Sequence, residues 1–274
     1  MWPLQSTTGT TFEQRTHDMT STPIVRLENV RKQYGKVVSL KNVTLEIGAN
    51  EIVGLIGDNG AGKSTLIKVL TGVEQPSSGT IYVRGQKIDA ASYSVKEAHK
   101  LKIETVYQDS SLGEKQPLWR NFFVGRPLTN RFGFIDVKAE KRIANEIMRS
   151  TIGFRGVGID VDTPVSRLSG GERQGVAIGR AMHFDSDLIV LDEPTVALAL
   201  KEVNKVLDFI RSIKAGGRSC IYIEHNIHHV HEVCDRLVVL DRGEIALDAP
   251  TSSLTYTELT DFLMSLHKPR VAAS

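Results

Sequence analysis

Short unbroken apolar runs alternate along this chain with segments whose apolar residues recur every three or four positions. Ile52-Val53-Gly54-Leu55-Ile56, Leu188-Ile189-Val190-Leu191, Cys220-Ile221-Tyr222-Ile223 and Leu237-Val238-Val239-Leu240 are such runs. Their length and β-branched content predict buried strands. Between them, Lys63 to Leu70 sets Leu66, Ile67 and Leu70 on one face, and Lys201 to Ile213 does the same with Val203, Val206, Leu207 and Ile210. Both predict helices. Residues 24 to about 92 carry β patterns, and residues 109 to 168 carry helical ones, with Ile143 and Ile147 four apart between Lys138 and Arg149. A last helix is predicted from Thr255, where Thr255 and Glu258 have capping-box spacing and Leu259, Phe262, Leu263 and Leu266 line a face expected to dock on the body. Alternation of this kind implies an α/β architecture.

The segment joining the first buried strand to its helix is Gly57-Asp58-Asn59-Gly60-Ala61-Gly62-Lys63-Ser64. Its G-x-x-x-x-G-K-[ST] form between strand and helix is that of a phosphate-binding loop. Glycines let backbone N–H groups turn toward phosphate oxygens, and the helix start favours an anion. Gly57, Asn59, Gly60, Gly62, Lys63, Ser64 and Thr65 are therefore the expected nucleotide-binding residues. Lys63 brings charge to the β- and γ-phosphates, and the Ser64 hydroxyl suits Mg²⁺.

The run Leu188 to Leu191 ends in Asp192-Glu193. A carboxylate pair at the carboxyl end of a strand lies where open α/β sheets bind ligands. Asp192 suits the metal, and Glu193 suits general-base or water-positioning work. A solvated acidic turn would read the same way without the loop upstream.

Leu168-Ser169-Gly170-Gly171-Glu172, taken alone, is an ordinary helix start. Lying between the phosphate loop and the acid pair, it resembles the signature motif of ABC-type ATPases, and the resemblance covers roughly residues 24 to 250. It implies a P-loop NTPase (RecA-like) core with an N-terminal antiparallel β region and an inserted helical subdomain at about 109–168. Outside it, the polar, Thr-rich composition of residues 1–23 reads as a mobile tail, and residues 251–274 as the C-terminal helix and tail. The resemblance also implies two copies meeting head to tail, so that Ser169, Gly170 and Gly171 of one cover the γ-phosphate held by the other. Tyr34 resembles the aromatic that stacks on adenine. Gln108 resembles the glutamine that touches Mg²⁺ and the attacking water and hinges the segment facing a membrane partner. His225 resembles the switch histidine. Catalysis is thus expected at Glu193, His225 and Gln108, with ATP as substrate and Mg²⁺ held near Ser64, Gln108 and Asp192. Two departures stand out: Ala197-Leu198-Ala199 where many members carry a closing Asp, and Glu224 before the histidine where Ser or Thr is common.

Composition narrows the reading. With 274 residues, a net charge of +2 and 41% hydrophobic residues, the chain suits one domain with a sizeable core and is expected to hold a single ATPase unit. No apolar run approaches the ~20 residues of a membrane span. The near-neutral balance argues against nonspecific nucleic-acid binding. Cys220 and Cys234 sit in apolar surroundings and read as small core residues in a reducing compartment. His225, His228, His229 and His231 lack a zinc-ligand spacing.

Trp119-Arg120-Asn121-Phe122-Phe123-Val124-Gly125-Arg126 reads either as core or as a groove for a partner's helix. It resembles the N-x-F/Y-x-G-R stretch of simple-sugar importer ATPases, and the Ala197-Leu198-Ala199 loop is similar to the same group. That resemblance implies a homodimer on the cytoplasmic face of the inner membrane, bound to an integral-membrane permease and fed by a periplasmic sugar-binding protein. An importer of amino acids or nucleosides, or a soluble ABC ATPase, is the competing expectation.

Overall fold

A computed structural model describes residues 22–107, 112–150 and 159–266. The expected N-terminal tail, apart from residues 22 and 23, lies outside the described residues, as does the end of the C-terminal tail.

The chain runs β1 (Val25–Tyr34), β2 (Val37–Ile47), β3 (Ile52–Ile56), α1 (Lys63–Leu70), β4 (Ser78–Val83), β5 (Gln86–Ile88), α2 (Val95–Lys100) and β6 (Ile103–Val106). It continues through α3 (Leu118–Phe122), α4 (Val137–Ser150), α5 (Gly170–His183), β7 (Leu188–Asp192), α6 (Leu200–Ala215) and β8 (Ser219–Ile223). The last elements are α7 (Ile227–Val233), β9 (Arg236–Asp241), β10 (Glu244–Pro250) and α8 (Tyr256–Leu266).

Two sheets form. One is antiparallel in the order β2-β1-β4-β5; the other has the order β10-β9-β3-β8-β7-β6. In the second, β9, β3, β8, β7 and β6 are parallel and β10 adds an antiparallel edge. The four apolar runs of the sequence are β3, β7, β8 and β9. Their alternate residues feed opposite faces, which is why no polar position interrupts them. Val53, Leu55, Val190, Ile221 and Val238 join the core shared with the antiparallel sheet and α1. Ile52, Ile189, Leu191, Tyr222 and Val239 face the core under α5, α6, α7 and α8. The last helix docks through Leu259, Phe262, Leu263 and Leu266, as its pattern predicts. Thr255 caps it: the Glu258 N–H donates to Thr255 Oγ1 at 3.2 Å, and the Thr255 N–H donates to Glu258 Oε2 at 2.8 Å. Cys220 and Cys234 are buried and unbridged.

A third core belongs to the helical insert. Trp119, Phe122, Phe123, Ala144, Ile147, Met148 and Val176 pack together there. The aromatic stretch that read either as core or as groove is therefore core, with Val124 exposed at its end. Asn121 is fully buried: its amide donates to the carbonyls of Gly113, Gln116 and Pro117, and its Oδ1 accepts from the Gly113 N–H at 2.7 Å. Beyond α3, Arg126 reaches back to Glu104 of β6 at 2.7 Å and ties the insert to the parallel sheet.

Arg236 joins the two sheets. Its side chain is 5% exposed; Nη1 donates to both carboxylate oxygens of Asp248 at 2.8 and 2.9 Å, and Nη2 donates to Glu51 at 3.0 Å and to the carbonyl of Glu46 in β2. Burial opposes its charge, but Asp248 and Glu51 outweigh it and hold the guanidinium above its ordinary value. Removing one member of a buried ionic cluster strands the others. Arg236→Ala is expected to destabilise the fold by about 3 kcal/mol, read as a lower urea midpoint at unchanged slope.

Candidate nucleotide-binding site

The site lies at the carboxyl ends of β3, β8 and β7, three adjacent strands. The chain leaves β3 into the phosphate loop, β7 into Glu193 and β8 into Glu224 and His225. The sheet thus gathers segments more than a hundred residues apart.

The loop enters α1 through Gly62, at φ +110° in the left-handed region that favours glycine. A Cβ there would also meet the Ser39 carbonyl at 2.7 Å. Lys63 is buried, and its ammonium donates to the carbonyls of Gly57 and Asp58, the latter at 3.1 Å, inside the loop. Burial lowers its affinity for the proton, while Glu193, Asp58 and Asp192 oppose that shift. The lysine and the acid pair thus feel each other's charge. Ser64 is exposed at the start of α1. Thr65, expected among the nucleotide contacts, shares a hydrogen bond with Ser39 of β2 at 2.7 Å and anchors the helix to the antiparallel sheet. Tyr34 ends β1, exposed, with the Lys32 ammonium 4.9 Å from its ring centroid.

Asp192 closes β7 opposite Ile223. Burial first, and Glu193 second, raise its carboxyl above the ordinary range against the pull of Lys63 and His225. Glu193 leaves strand geometry: its φ is +48°, and its N–H donates to the Ile223 carbonyl at 3.0 Å. This turn aims Glu193 Oε1 at His225 Nε2, 2.7 Å away. The two residues expected to handle water are therefore a hydrogen-bonded pair. Gln108 lies outside the described residues, two positions past the end of β6.

Two carboxylates against one buried ammonium leave negative charge at this end of the sheet. The Asp192 carboxylate and the Ser64 hydroxyl are both hard oxygen donors, a chemistry that fits a divalent cation such as Mg²⁺.

Glu224, whose effect the sequence left open, is a buried latch. Its Oε2 accepts from the Thr195 hydroxyl and from the Tyr222 hydroxyl at 3.4 Å. Its Oε1 accepts from the His225 N–H at 3.0 Å and the Asn226 N–H at 3.4 Å. It thereby fixes the backbone that carries His225 to the loop that follows Glu193. Glu224→Ala leaves those donors unpaired, and a drop of about 2 kcal/mol in stability is expected by thermal denaturation, with slower turnover from a displaced His225.

The signature turn starts α5. Ser169 Oγ accepts from the Glu172 N–H at 3.3 Å, and Glu172 Oε2 accepts from the Ser169 N–H at 2.9 Å, a complete capping box. Gly170 and Gly171 permit close approach of the next loop: added Cβ atoms would meet Leu198 Cδ2 at 2.5 Å and Glu202 Cβ at 2.9 Å. The signature and the Ala197-Leu198-Ala199 loop are thus one packed unit.

Known proteins resemble this chain over most of its length. The ABC transporter family model matches residues 40–196. The xylose/arabinose import ATP-binding protein of Sulfolobus acidocaldarius is 38% identical over 242 residues, which cover 88% of this chain and 94% of that protein. A ribose import ATP-binding protein of Rubrobacter xylanophilus is 34% identical and the galactofuranose transporter ATP-binding protein of Escherichia coli 37% identical, each over 88% of this chain. The chain spans about half the length of those two relatives, 48% and 47%. Among solved structures, the ADP conformation of an ATP-binding cassette of an ABC transporter superposes with a TM-score of 0.75 at 25% identity, covering 88% of this chain and 95% of that one. A dimeric cassette in a post-hydrolysis state with ADP and phosphate gives 0.69 at 26% identity, covering 83% and 98%. The chain belongs to the ABC transporter family, in its ATP-binding subunits.

Proposed function

We propose that this chain is the ATP-hydrolysing subunit of an ABC importer that powers uptake of a simple sugar through a separate membrane permease. The observation that carries hydrolysis is the pairing of Glu193 with His225 at 2.7 Å at the strand ends beside the phosphate loop. The sugar assignment is supported by the relatives named for xylose/arabinose, ribose and galactofuranose import. The subunit works as a homodimer, peripheral to the membrane on its cytoplasmic side, and a periplasmic sugar-binding protein delivers the substrate.

ATP is gripped from two sides. Lys63 and the amides of Gly60 to Ser64 hold its β- and γ-phosphates, and Tyr34 stacks on adenine after its Lys32 partner gives way. Ser169, Gly170 and Gly171 of a second copy cover the γ-phosphate. Ser64, Asp192 and Gln108 would hold Mg²⁺, which neutralises charge on the β- and γ-oxygens when bound. Glu193 accepts the proton of a water that attacks the γ-phosphorus in line, and the bond to the leaving oxygen of ADP breaks. His225 holds Glu193 in the orientation this needs. ATP binding closes the dimer, hydrolysis reopens it, and the segment at Gln108 passes the movement to the permease.

The reading is tested by uptake into proteoliposomes holding the permease, this chain and the binding protein. Uptake of one monosaccharide, dependent on internal ATP and on Glu193, is the expected result. Uptake of an amino acid or nucleoside instead would reassign the substrate.

A further inference from the structure

Glu202 stands in the first turn of α6, away from the phosphate loop in sequence, and no step above uses it. Its carboxylate nevertheless lies on the signature turn. Glu202 Oε2 accepts from the Ala199 N–H at 3.3 Å. The same carboxylate lies beside Ser169 and Gly171, and their donors, together with the Ala199 N–H, draw it below the usual carboxylate range. The approach is close along the whole side chain: a Cβ on Gly171 would sit 2.9 Å from Glu202 Cβ, and one on Gly170 3.7 Å from Glu202 Oε2.

Ser169 and Gly171 are the donors assigned above to the γ-phosphate of ATP bound by a second copy. A hydroxyl has one proton to donate, and so does a backbone amide. A carboxylate and a γ-phosphate compete for both and repel each other besides. We propose that Glu202 is a positioning residue that competes with ATP: its carboxylate fills the signature anion site of the free subunit and swings out before two subunits close on nucleotide.

The side chain has somewhere to go. Glu202 is only half-buried, and its charge already feels Lys205, three residues on along the same exposed helix face. Rotation about χ1 and χ2 exchanges the signature donors for that lysine and for water. Closure then costs the subunit one charge-assisted contact, which ATP replaces with its own. Such a competitor keeps empty subunits apart and makes closure depend more steeply on nucleotide.

The proposal rests on the two-sided ATP site of the preceding section, and the test separates the two. In a chain carrying Glu193→Gln, which holds ATP without turning it over, dimer formation is followed by light scattering on a size-exclusion column across an ATP titration. Glu202→Gln keeps the length of the side chain and an oxygen that accepts from Ala199, but removes the charge. It is expected to lower the ATP concentration for half-maximal dimer about five- to tenfold, as loss of one competing ionic contact implies. The melting temperature without nucleotide falls slightly, because the ionised carboxylate on the signature turn also stabilises the free subunit. Asp208→Asn, on the same helix, controls for lost charge and leaves the titration where it was. Glu202→Ala, which also drops the bond to Ala199, shifts the titration the same way.

An unchanged or raised half-maximal ATP in Glu202→Gln would overturn the proposal, and Glu202 would then only cap α6. If Glu193→Gln failed to dimerise at saturating ATP with or without Glu202, the two-sided site itself would fall, and the competitor with it.

Discussion

Glu193→Gln is expected to slow ATP turnover by about 10²–10⁴-fold while leaving ATP affinity close to that of the natural chain. The glutamine has the same shape, so the loop and Lys63 keep their places; what is lost is an oxygen able to take the proton of water. Glu193 is held for this task. Its backbone stands at φ +48°, a conformation that costs a non-glycine residue about 1 kcal/mol or more. The Glu193 N–H is fixed to the Ile223 carbonyl at 3.0 Å and its carboxylate to His225 at 2.7 Å. Strain of this kind persists only where surrounding contacts over-determine it. Here Glu224, bonded to Thr195 on one side and to the His225 backbone on the other, supplies those contacts. Phosphate release under saturating ATP checks the rate, and a fluorescent nucleotide titration checks affinity. Turnover at the natural rate would remove Glu193 from the role of base.

Lys63→Ala is expected to act on binding before chemistry. The ammonium is buried in the loop against the carbonyls of Gly57 and Asp58 and is lowered in proton affinity by that burial. It is a desolvated cation poised where two phosphates would meet it. Truncating one partner of a buried, hydrogen-bonded charge pair costs about 4 kcal/mol, or roughly 10³ in affinity. Calorimetric titration with ATP should show that loss, and turnover should fall with it. Arginine in its place restores charge without the compact ammonium and should recover little, since the loop closes on a point donor.

The elements that were legible in the sequence are those whose determinants are local. β3, β7, β8 and β9 are continuous apolar runs because both faces of a parallel strand are covered, and the loop after β3 carries its own spacing. Ser169 with Glu172, and Thr255 with Glu258, announce their helices three residues apart. What escaped depends on contacts made only by the fold. Glu224 binds Thr195, which lies 29 residues before it, because β7 and β8 are neighbours in the sheet. The Thr65 hydroxyl meets Ser39 because the antiparallel sheet packs over α1, a contact that adds to the expected role of Thr65 in the loop and that its spacing does not announce. Glu202 gave one signal, its place three residues after Ala199, but alanine offers no side-chain oxygen to complete a capping box and so hid the pattern. The aromatic stretch from Trp119 was undecided because buried and docking aromatics share a composition; only packing against α4 and α5 settles it as core.

The helical insert is joined to the parallel sheet by an ion pair. The Arg126–Glu104 contact at 2.7 Å spans that boundary, immediately before the segment that contains Gln108. Glu104 is buried and Arg126 half-buried, so the pair is less screened than a fully solvated surface bridge.

The central claim is that two-sided ATP hydrolysis at Glu193 is harnessed to sugar entry through a permease. Its most direct test is the ATPase rate of the purified chain, measured alone and then with the permease of its own operon in nanodiscs, with and without sugar-loaded binding protein. The account predicts a low rate alone and stimulation that requires the permease and one particular sugar. A rate that ignored every permease and every sugar would contradict it.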